Sequence, residues 1–558
     1  MTFILEYGFY SFEYRLTLHQ IQIFAAGFLN LTILLKLLLA SRRLIYLKNN
    51  RGYLALIIIL LILTNLINTY GLPKPVIDFL TRFPQVSPYV FAVQLYLILF
   101  ICLVFANINC WISKFRGTIL KPLILIPITF ALIILIGTLL LLLPRAVRSS
   151  EEISLIDALF TATSATCVTG LTVQNTGLYF SRLGQLIILF LIQIGGLGIM
   201  TFTTFFGLIL GREFGLRERA FLGEALNISA WYKVGKLVIK ILLFVFLIEL
   251  IGTVLLYIQF TPYYGPIFHN FYLSLFHSVS AFCNAGFSLF SNSFMDFQNN
   301  LGINLTITLL IIIGGLGFPA IFDLLNWFRS KIKKEKKFLT LHSRTVLITT
   351  LILIVGGGFL IFIFENSHLN HLSLSDKLLV SYFQSVTTRT AGFSTLSIGN
   401  LLPATALILI VLMFIGASPG STGGGIKTST LAVIIATLKS WLTGRSSVRL
   451  FKRSLVPIVI RQAFTIFSLA LLWISLCTLV LSQTEKTNLL DALFEVVSAF
   501  GTVGLSRGIT ANLTTIGKLI IILTMFVGRI GPLTLSIYIA KKGISEPFKY
   551  PEDKVIIG

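Results

Sequence analysis

The sequence predicts an all-α polytopic membrane protein in which four pseudo-symmetric helix/pore-loop/helix repeats follow a set of extra N-terminal transmembrane helices. Three observations carry that prediction. Of the 558 residues, 56% are hydrophobic and only 12% are charged, so most of the chain has no water-facing surface to offer. Apolar runs near the roughly 20 residues that span a hydrocarbon core recur from residue 19 to residue 541. A short polar segment ending in glycine returns four times, at a spacing of roughly 110 residues.

Residues 1–113 hold apolar runs at about 19–40, 53–71 and 89–113, read as up to three extra helices to which no chemistry is assigned. The repeats then occupy 118–212, 233–330, 343–440 and 455–545, and 546–558 form a cytoplasmic tail. Each repeat has an outer apolar span, a short amphipathic stretch of about three turns, the glycine segment and an inner apolar span. The outer spans fall near 121–143, 234–260, 344–364 and 457–482, and the inner ones near 183–210, 302–328, 402–438 and 515–540. The stretch between them is too short to cross, so it enters the membrane and leaves on the same side.

The net charge of +23 is placed by topology and not by nucleic acid. Lys and Arg gather in the connections that include Arg42 to Arg51, Lys114 to Lys121, Arg212 to Lys240, Arg329 to Arg344 and Lys439 to Arg461, and in the tail from Lys541. These mark one face as cytoplasmic. Cys102, Cys110, Cys167, Cys283 and Cys477 lie in apolar context without CxxC spacing, which indicates neither a disulfide framework nor a zinc site. The six histidines form no HExxH motif and no Ser/His/Asp set shares a membrane depth, so the chain is not read as an enzyme.

Short pore helices are announced by Ser154 before Asp157, Ser373 before Asp376 and Asn488 before Asp491, each a capping residue three positions ahead of a carboxylate. Capping is the simpler reading of these aspartates, and cation attraction at an outer mouth is the other.

The glycine segments bear the chemistry. They are Thr166, Cys167, Val168, Thr169 and Gly170; Cys283, Asn284, Ala285 and Gly286; Arg389, Thr390, Ala391 and Gly392; and Gly501, Thr502, Val503 and Gly504. Irregular backbone at membrane depth survives only where protein or a water-filled cavity satisfies it. Four such segments around one ion pathway present a cage of carbonyl oxygens able to replace the water shell of a dehydrated cation. Glycine leaves the axis unplugged and reaches the conformations that turn carbonyls inward. No segment carries a carboxylate at or beside its glycine, which argues against an acidic-ring sodium or calcium channel. Arg389 is expected to turn into the scaffold behind the filter.

These segments, and Thr387-Thr-Arg-Thr-Ala-Gly-Phe393 above all, resemble the Trk/Ktr/HKT superfamily of potassium transporters, most closely the membrane subunit of a bacterial Ktr system. The match runs from about residue 118 to the C-terminus. It implies K+ as the substrate, held at the filter's backbone carbonyls, since glycine at all four positions goes with potassium selectivity in that family. It also implies a multi-pass protein of the bacterial inner membrane and a homodimer surrounded by membrane lipid. Nucleotide would be bound only on a partner, a cytoplasmic regulatory ring resembling KtrA, and Na+ is a candidate activator. No covalent cofactor is implied. A sodium-permeable or Na+-coupled transporter of the same architecture is the alternative.

A second motif, Gly416-Ala-Ser-Pro-Gly-Ser-Thr-Gly-Gly-Gly-Ile-Lys-Thr-Ser-Thr430, interrupts the third inner span with a density of glycine and proline that no continuous helix tolerates. The related transporters have a gating loop here, which assigns a gate to Gly416, Ser418, Pro419, Gly420, Ser421, Thr422, Gly423, Gly424, Gly425 and Lys427. Arg529, in the last inner span, is its expected partner, because a charge near the bilayer centre costs about 2.5–3.5 kcal/mol unless it faces the interior. Gly195-Gly-Leu-Gly198 and Gly314-Gly-Leu-Gly317 are read as close helix packing.

Overall fold

A computed structural model describes residues 122–148, 153–198, 234–265, 268–335, 338–370 and 372–531. The expected N-terminal helices and the tail lie outside the described residues, as do the far ends of the first and last inner spans.

The same unit is built four times. The outer helices are α1 (Pro122–Leu141), α4 (Val234–Tyr264), α8 (Leu341–Glu365) and α12 (Pro457–Glu485). The short helices that follow them are α2 (Leu155–Thr166), α5 (Phe268–Phe282), α9 (Leu374–Thr387) and α13 (Leu489–Gly501). After each glycine segment comes an inner helix: α3 (Arg182–Leu197), α6 (Leu301–Leu316), α10 (Pro403–Phe414) and α14 (Thr515–Ile530). Two further helices, α7 (Phe318–Ile332) and α11 (Thr428–Leu442), continue the second and third inner spans, and a small hairpin, β1 (Arg449–Leu450) and β2 (Arg453–Ser454), precedes α12.

Caps fix where the helices begin. The Ser154 hydroxyl accepts from Asp157 N at 3.1 Å and the Ser373 hydroxyl from Asp376 N at 3.3 Å, starting α2 and α9. Ser181, Asn300 and Thr514 do the same for α3, α6 and α14. Asn488 stands at the N-cap of α13, but its side chain makes no capping bond.

Burial separates the layers. The short helices carry a phenylalanine each at matching places, Phe160, Phe276, Phe383 and Phe494, all fully buried. The outer helices turn residues such as Leu243, Leu351 and Leu472 outward, as helices solvated by acyl chains do. Among the described residues, α4, α8 and α12 are long and apolar enough to cross a membrane alone.

The repeats close into a ring through one recurring contact. Each inner helix packs against the short helix of the next repeat: α3 on α5, α6 on α9, α10 on α13, and α14 back on α2. The Lys518 ammonium and the Asp157 carboxylate, 2.6 Å apart, span that last junction.

Sequence reading took 302–328 as one span. The structure instead bends it by 101° between α6 and α7. Gly317 sits at the corner with φ +86°, and Pro319 opens the new helix.

Candidate functional site

The four motif glycines meet in one ring. A Cβ placed on Gly170 would lie 2.5 Å from Ala285 O and 3.0 Å from the Gly286 Cα. One on Gly286 would meet Ala391 O and Gly392, one on Gly392 would meet Val503 O and Gly504, and one on Gly504 would meet Thr169 O and Gly170. The chain of contacts thus returns to its start, with a carbonyl of the residue before each glycine at every junction.

Backbone handedness orients those carbonyls. The glycines have φ of +92°, +70°, +76° and +96°, and two residues earlier Val168, Asn284, Thr390 and Thr502 have φ of 57°, 59°, 71° and 50°. Left-handed residues two apart keep each segment out of helix, and the carbonyl before each glycine comes against the neighbouring segment's glycine. Non-glycine residues at positive φ are costly and persist only where their surroundings hold them.

The supports come from the ends of the short helices. Gly170 N and Gly504 N donate to the hydroxyls of Ser164 and Ser498, each at 3.1 Å. In the second repeat the Ser280 hydroxyl donates to Phe287 O at 2.8 Å, and in the third the Thr387 hydroxyl donates to Phe393 O at 2.6 Å. Thr387 stands one residue nearer its glycine than the three serines do. The third repeat therefore does the same job in a shifted register.

The glycine-rich loop lies against one end of this ring, since its contacts fall on residues that precede the motif glycines. Gly424 N donates to the Thr502 hydroxyl at 2.9 Å, the Thr422 hydroxyl donates to Phe282 O at 3.3 Å, and a Cβ on Gly423 would strike the Thr390 hydroxyl at 2.1 Å. Ser418 N and Thr422 N donate to Gly315 O and Gly314 O, while Phe318 N donates to Gly420 O at 3.0 Å. The bend at Gly317 is what brings α7 under the loop: Pro419 O would lie 2.4 Å from a Cβ there. A bridge between Ile415 and Ile426 closes the base of the loop, against which Gly416 packs on Gly424 O.

Two cations hold the loop. The Arg529 guanidinium donates through Nη1 to Thr422 O and through Nη2 to Gly195 O, tying loop, α14 and α3 together. Lys427 Nζ donates to Gly423 O at 2.7 Å. Ser421, by contrast, has a buried hydroxyl without a hydrogen-bond partner among the described residues.

Arg389 is 4% exposed, and its Nε and Nη2 have no hydrogen-bond partner among the described residues. Its neighbour Thr390 meets the Asn284 amide at 3.1 Å, linking the second and third segments. Of the glycines read as packing residues, Gly195 and Gly314 touch the last carbonyls of their own repeat's short helix, Thr166 O and Phe282 O, whereas nothing lies within 4 Å of a Cβ on Gly198; Gly528, not singled out in the sequence, makes the same contact with Phe500 O in the fourth repeat. Asp157 and Asp491 pair with Lys518 and Arg507, both at 2.6 Å, so each of these capping-turn carboxylates already has a cation partner.

Sequence reading missed a buried polar cluster behind the second segment. The Glu249 carboxylate of α4 accepts from Gln193 Nε2 at 3.0 and 3.2 Å, and the Cys283 thiol lies 3.8 Å from it. A lone glutamate inside an apolar run was the available signal.

The sequence matches the TrkH family, described as cation transport protein, over residues 96–548. It is 44% identical over 436 residues to Ktr system potassium uptake protein B of Bacillus subtilis, covering 77% of this chain and 95% of that protein. It is 40% identical over 447 residues to potassium/sodium uptake protein NtpJ of Enterococcus hirae, covering 79% and 98%. The crystal structure of the potassium transporter TrkH from Vibrio parahaemolyticus superposes with a TM-score of 0.63 at 20% identity, covering 88% of this chain and 98% of that one. Fold and ring geometry define a polytopic membrane transporter. The chain belongs to the TrkH family of cation transport proteins.

Proposed function

We propose that this protein takes up K+ across the cell membrane through the ring of Gly170, Gly286, Gly392 and Gly504, with the loop 416–430 and Arg529 as its gate. The closed circuit of glycine and carbonyl contacts supports this reading best. Oxygens held at fixed spacing by protein stand in for the water of a dehydrated monovalent cation, and no acidic side chain is needed to favour it. The short helices aim their partially negative C-termini at the same point. An inside-negative potential contributes about 2.3 kcal/mol per charge per 100 mV, enough to drive accumulation without ATP hydrolysis by this chain.

The loop occupies the inner end of the path, so conduction requires it to move. Its hydrogen bonds to the second and fourth repeats hold it in one position, which a cytoplasmic partner can bias. We assign that role to a nucleotide-binding ring docked on the basic connections, with two copies of this chain above it. Similarity to Ktr system proteins supports the assignment. A relative named for potassium and sodium uptake favours a second reading, in which Na+ permeates or is coupled.

Growth of a potassium-uptake-deficient bacterial strain tests both. Wild type restores growth at low K+, Gly170→Ser raises Na+ uptake relative to K+, and deletion of Ser418–Gly425 gives ungated flux. Unchanged phenotypes for both variants would refute the assignment, and Na+ uptake equal to K+ uptake by wild type would establish the second reading.

A further inference from the structure

Behind the outer end of the ring, three repeats carry the same buried linkage built from three different side chains. In the second repeat His277 Nε2 lies 3.1 Å from the Ser288 hydroxyl. In the third Gln384 Nε2 donates to the Ser394 hydroxyl at 3.4 Å, and in the fourth the Ser506 hydroxyl donates to Glu495 Oε2 at 2.8 Å. Each serine stands two residues past its filter glycine, and each of the three partners sits three residues before the Ser or Thr that supports the filter. His277, Gln384 and Glu495 are all at most 1% exposed.

The serines share a second feature. Each also accepts a backbone N–H two residues on: Phe290 N at 3.0 Å, Leu396 N at 3.2 Å and Gly508 N at 3.0 Å. The hydroxyl therefore fixes the first turn after the filter, and the buried side chain fixes the hydroxyl. The first repeat differs, because Thr161 is too short to reach outward and donates instead to Asp157 O of its own helix at 2.8 Å.

Glu495 is the strongest of the three. It takes a second hydroxyl, Thr510, while the nearby Arg507 pairs with Asp491. Two hydroxyls thus converge on its two carboxyl oxygens, where His277 and Gln384 each reach a single serine hydroxyl.

We propose that His277, Gln384 and Glu495 are positioning residues that clamp the outer end of three filter segments, and that the Glu495–Ser506 clamp sets how well the ring discriminates K+ from Na+. The clamp acts through the backbone of residues 504–506, which carries the filter carbonyls outward. Small displacements there change the size and stiffness of the oxygen cage, which is what separates the two ions.

The inference rests on the filter reading above, and the experiment separates them. Rubidium and sodium uptake are measured for Glu495→Ala, Glu495→Gln, Ser506→Ala, the Glu495→Ala/Ser506→Ala pair and Gly504→Ser, with membrane protein level scored for each. Glu495→Ala and Ser506→Ala should each raise the apparent KM for rubidium about two- to tenfold, the loss of one net hydrogen bond, and raise the Na+/Rb+ uptake ratio. The pair should cost less than the sum of the two, since the Glu495–Ser506 bond is common to both. Gln at 495 should keep the ratio near wild type, because Gln384 fills that station in the third repeat. If Gly504→Ser shifts selectivity while the other variants change only maximal rate in proportion to protein level, the clamp is merely structural and the inference falls alone. If Gly504→Ser leaves selectivity intact, the filter reading and the clamp fall together. Should Glu495→Ala fail to reach the membrane, Ser506→Ala and Glu495→Gln still decide the matter.

Discussion

The backbone N–H of Gly424 donates to the hydroxyl of Thr502 at 2.9 Å, so the glycine-rich loop hangs from the fourth glycine segment itself. Thr502 holds a left-handed conformation, φ 50°, two residues before Gly504. One threonine thus shapes the glycine segment with its backbone and holds the loop with its side chain. Thr502→Val keeps the shape and removes the acceptor, leaving a buried N–H unsatisfied at a cost of about 1–3 kcal/mol to the latched state. Cation leak through purified protein in liposomes should rise without loss of K+ preference, and a leak no different from wild type would remove the latch from the argument.

Arg529 reaches two carbonyls from different elements, Thr422 O on the loop and Gly195 O on α3. A guanidinium serves both because its donors are spread over a rigid plane, whereas an ammonium is a single point. Arg529→Lys should therefore behave more like Arg529→Met than like wild type, with the loop released and basal flux raised in both. Flux measured without any regulatory partner checks this, and a Lys variant as tight as wild type would show that charge alone suffices.

Much of this arrangement was legible in the sequence because it is written four times. Gly170, Gly286, Gly392 and Gly504 recur with matched flanks, and Gly416 to Gly425 is too rich in glycine for helix. The bend at Gly317 was missed because Gly314, Gly315 and Gly317 signal close packing as readily as a corner, although Pro319 two residues on marks a helix start. The clamp was hidden twice over: its members are His, Gln and Glu, which share no residue type, and the third repeat is offset by one position at Thr387. Glu249 and Gln193 lie on different repeats, so only the folded ring brings them together.

Packing at the inner helices gives a sharper test of the close approaches. A Cβ on Gly314 would sit 1.9 Å from Phe282 O, a backbone atom that cannot step aside without moving the filter's support. Gly356 on α8 is helical too, yet nothing lies within 4 Å of the same position. Gly314→Ala should cost about 1–3 kcal/mol of stability through overpacking. Gly356→Ala should be neutral or stabilising, since alanine is the better helix former. Thermal unfolding in detergent separates the two, and equal melting temperatures would mean that the second repeat absorbs the added methyl without strain.

The junction between the fourth and first repeats is the one that closes the ring, and it carries the Lys518–Asp157 pair, 16% and 14% exposed at its side chains. An ion pair so shielded is screened less than a surface pair, and losing one partner leaves the other poorly solvated. Asp157→Asn and Lys518→Met should each lower stability by about 1–3 kcal/mol, the range for a hydrogen bond to a charged group. The exchange Asp157→Lys with Lys518→Asp should recover part of that loss, but not all, because Asp157 also lies in the first turn of α2, where a cation is unfavourable. Melting temperatures of the two single variants, the Asp157→Asn/Lys518→Met pair and the wild type form the cycle, and strictly additive effects would show that the two charges contribute nothing to each other.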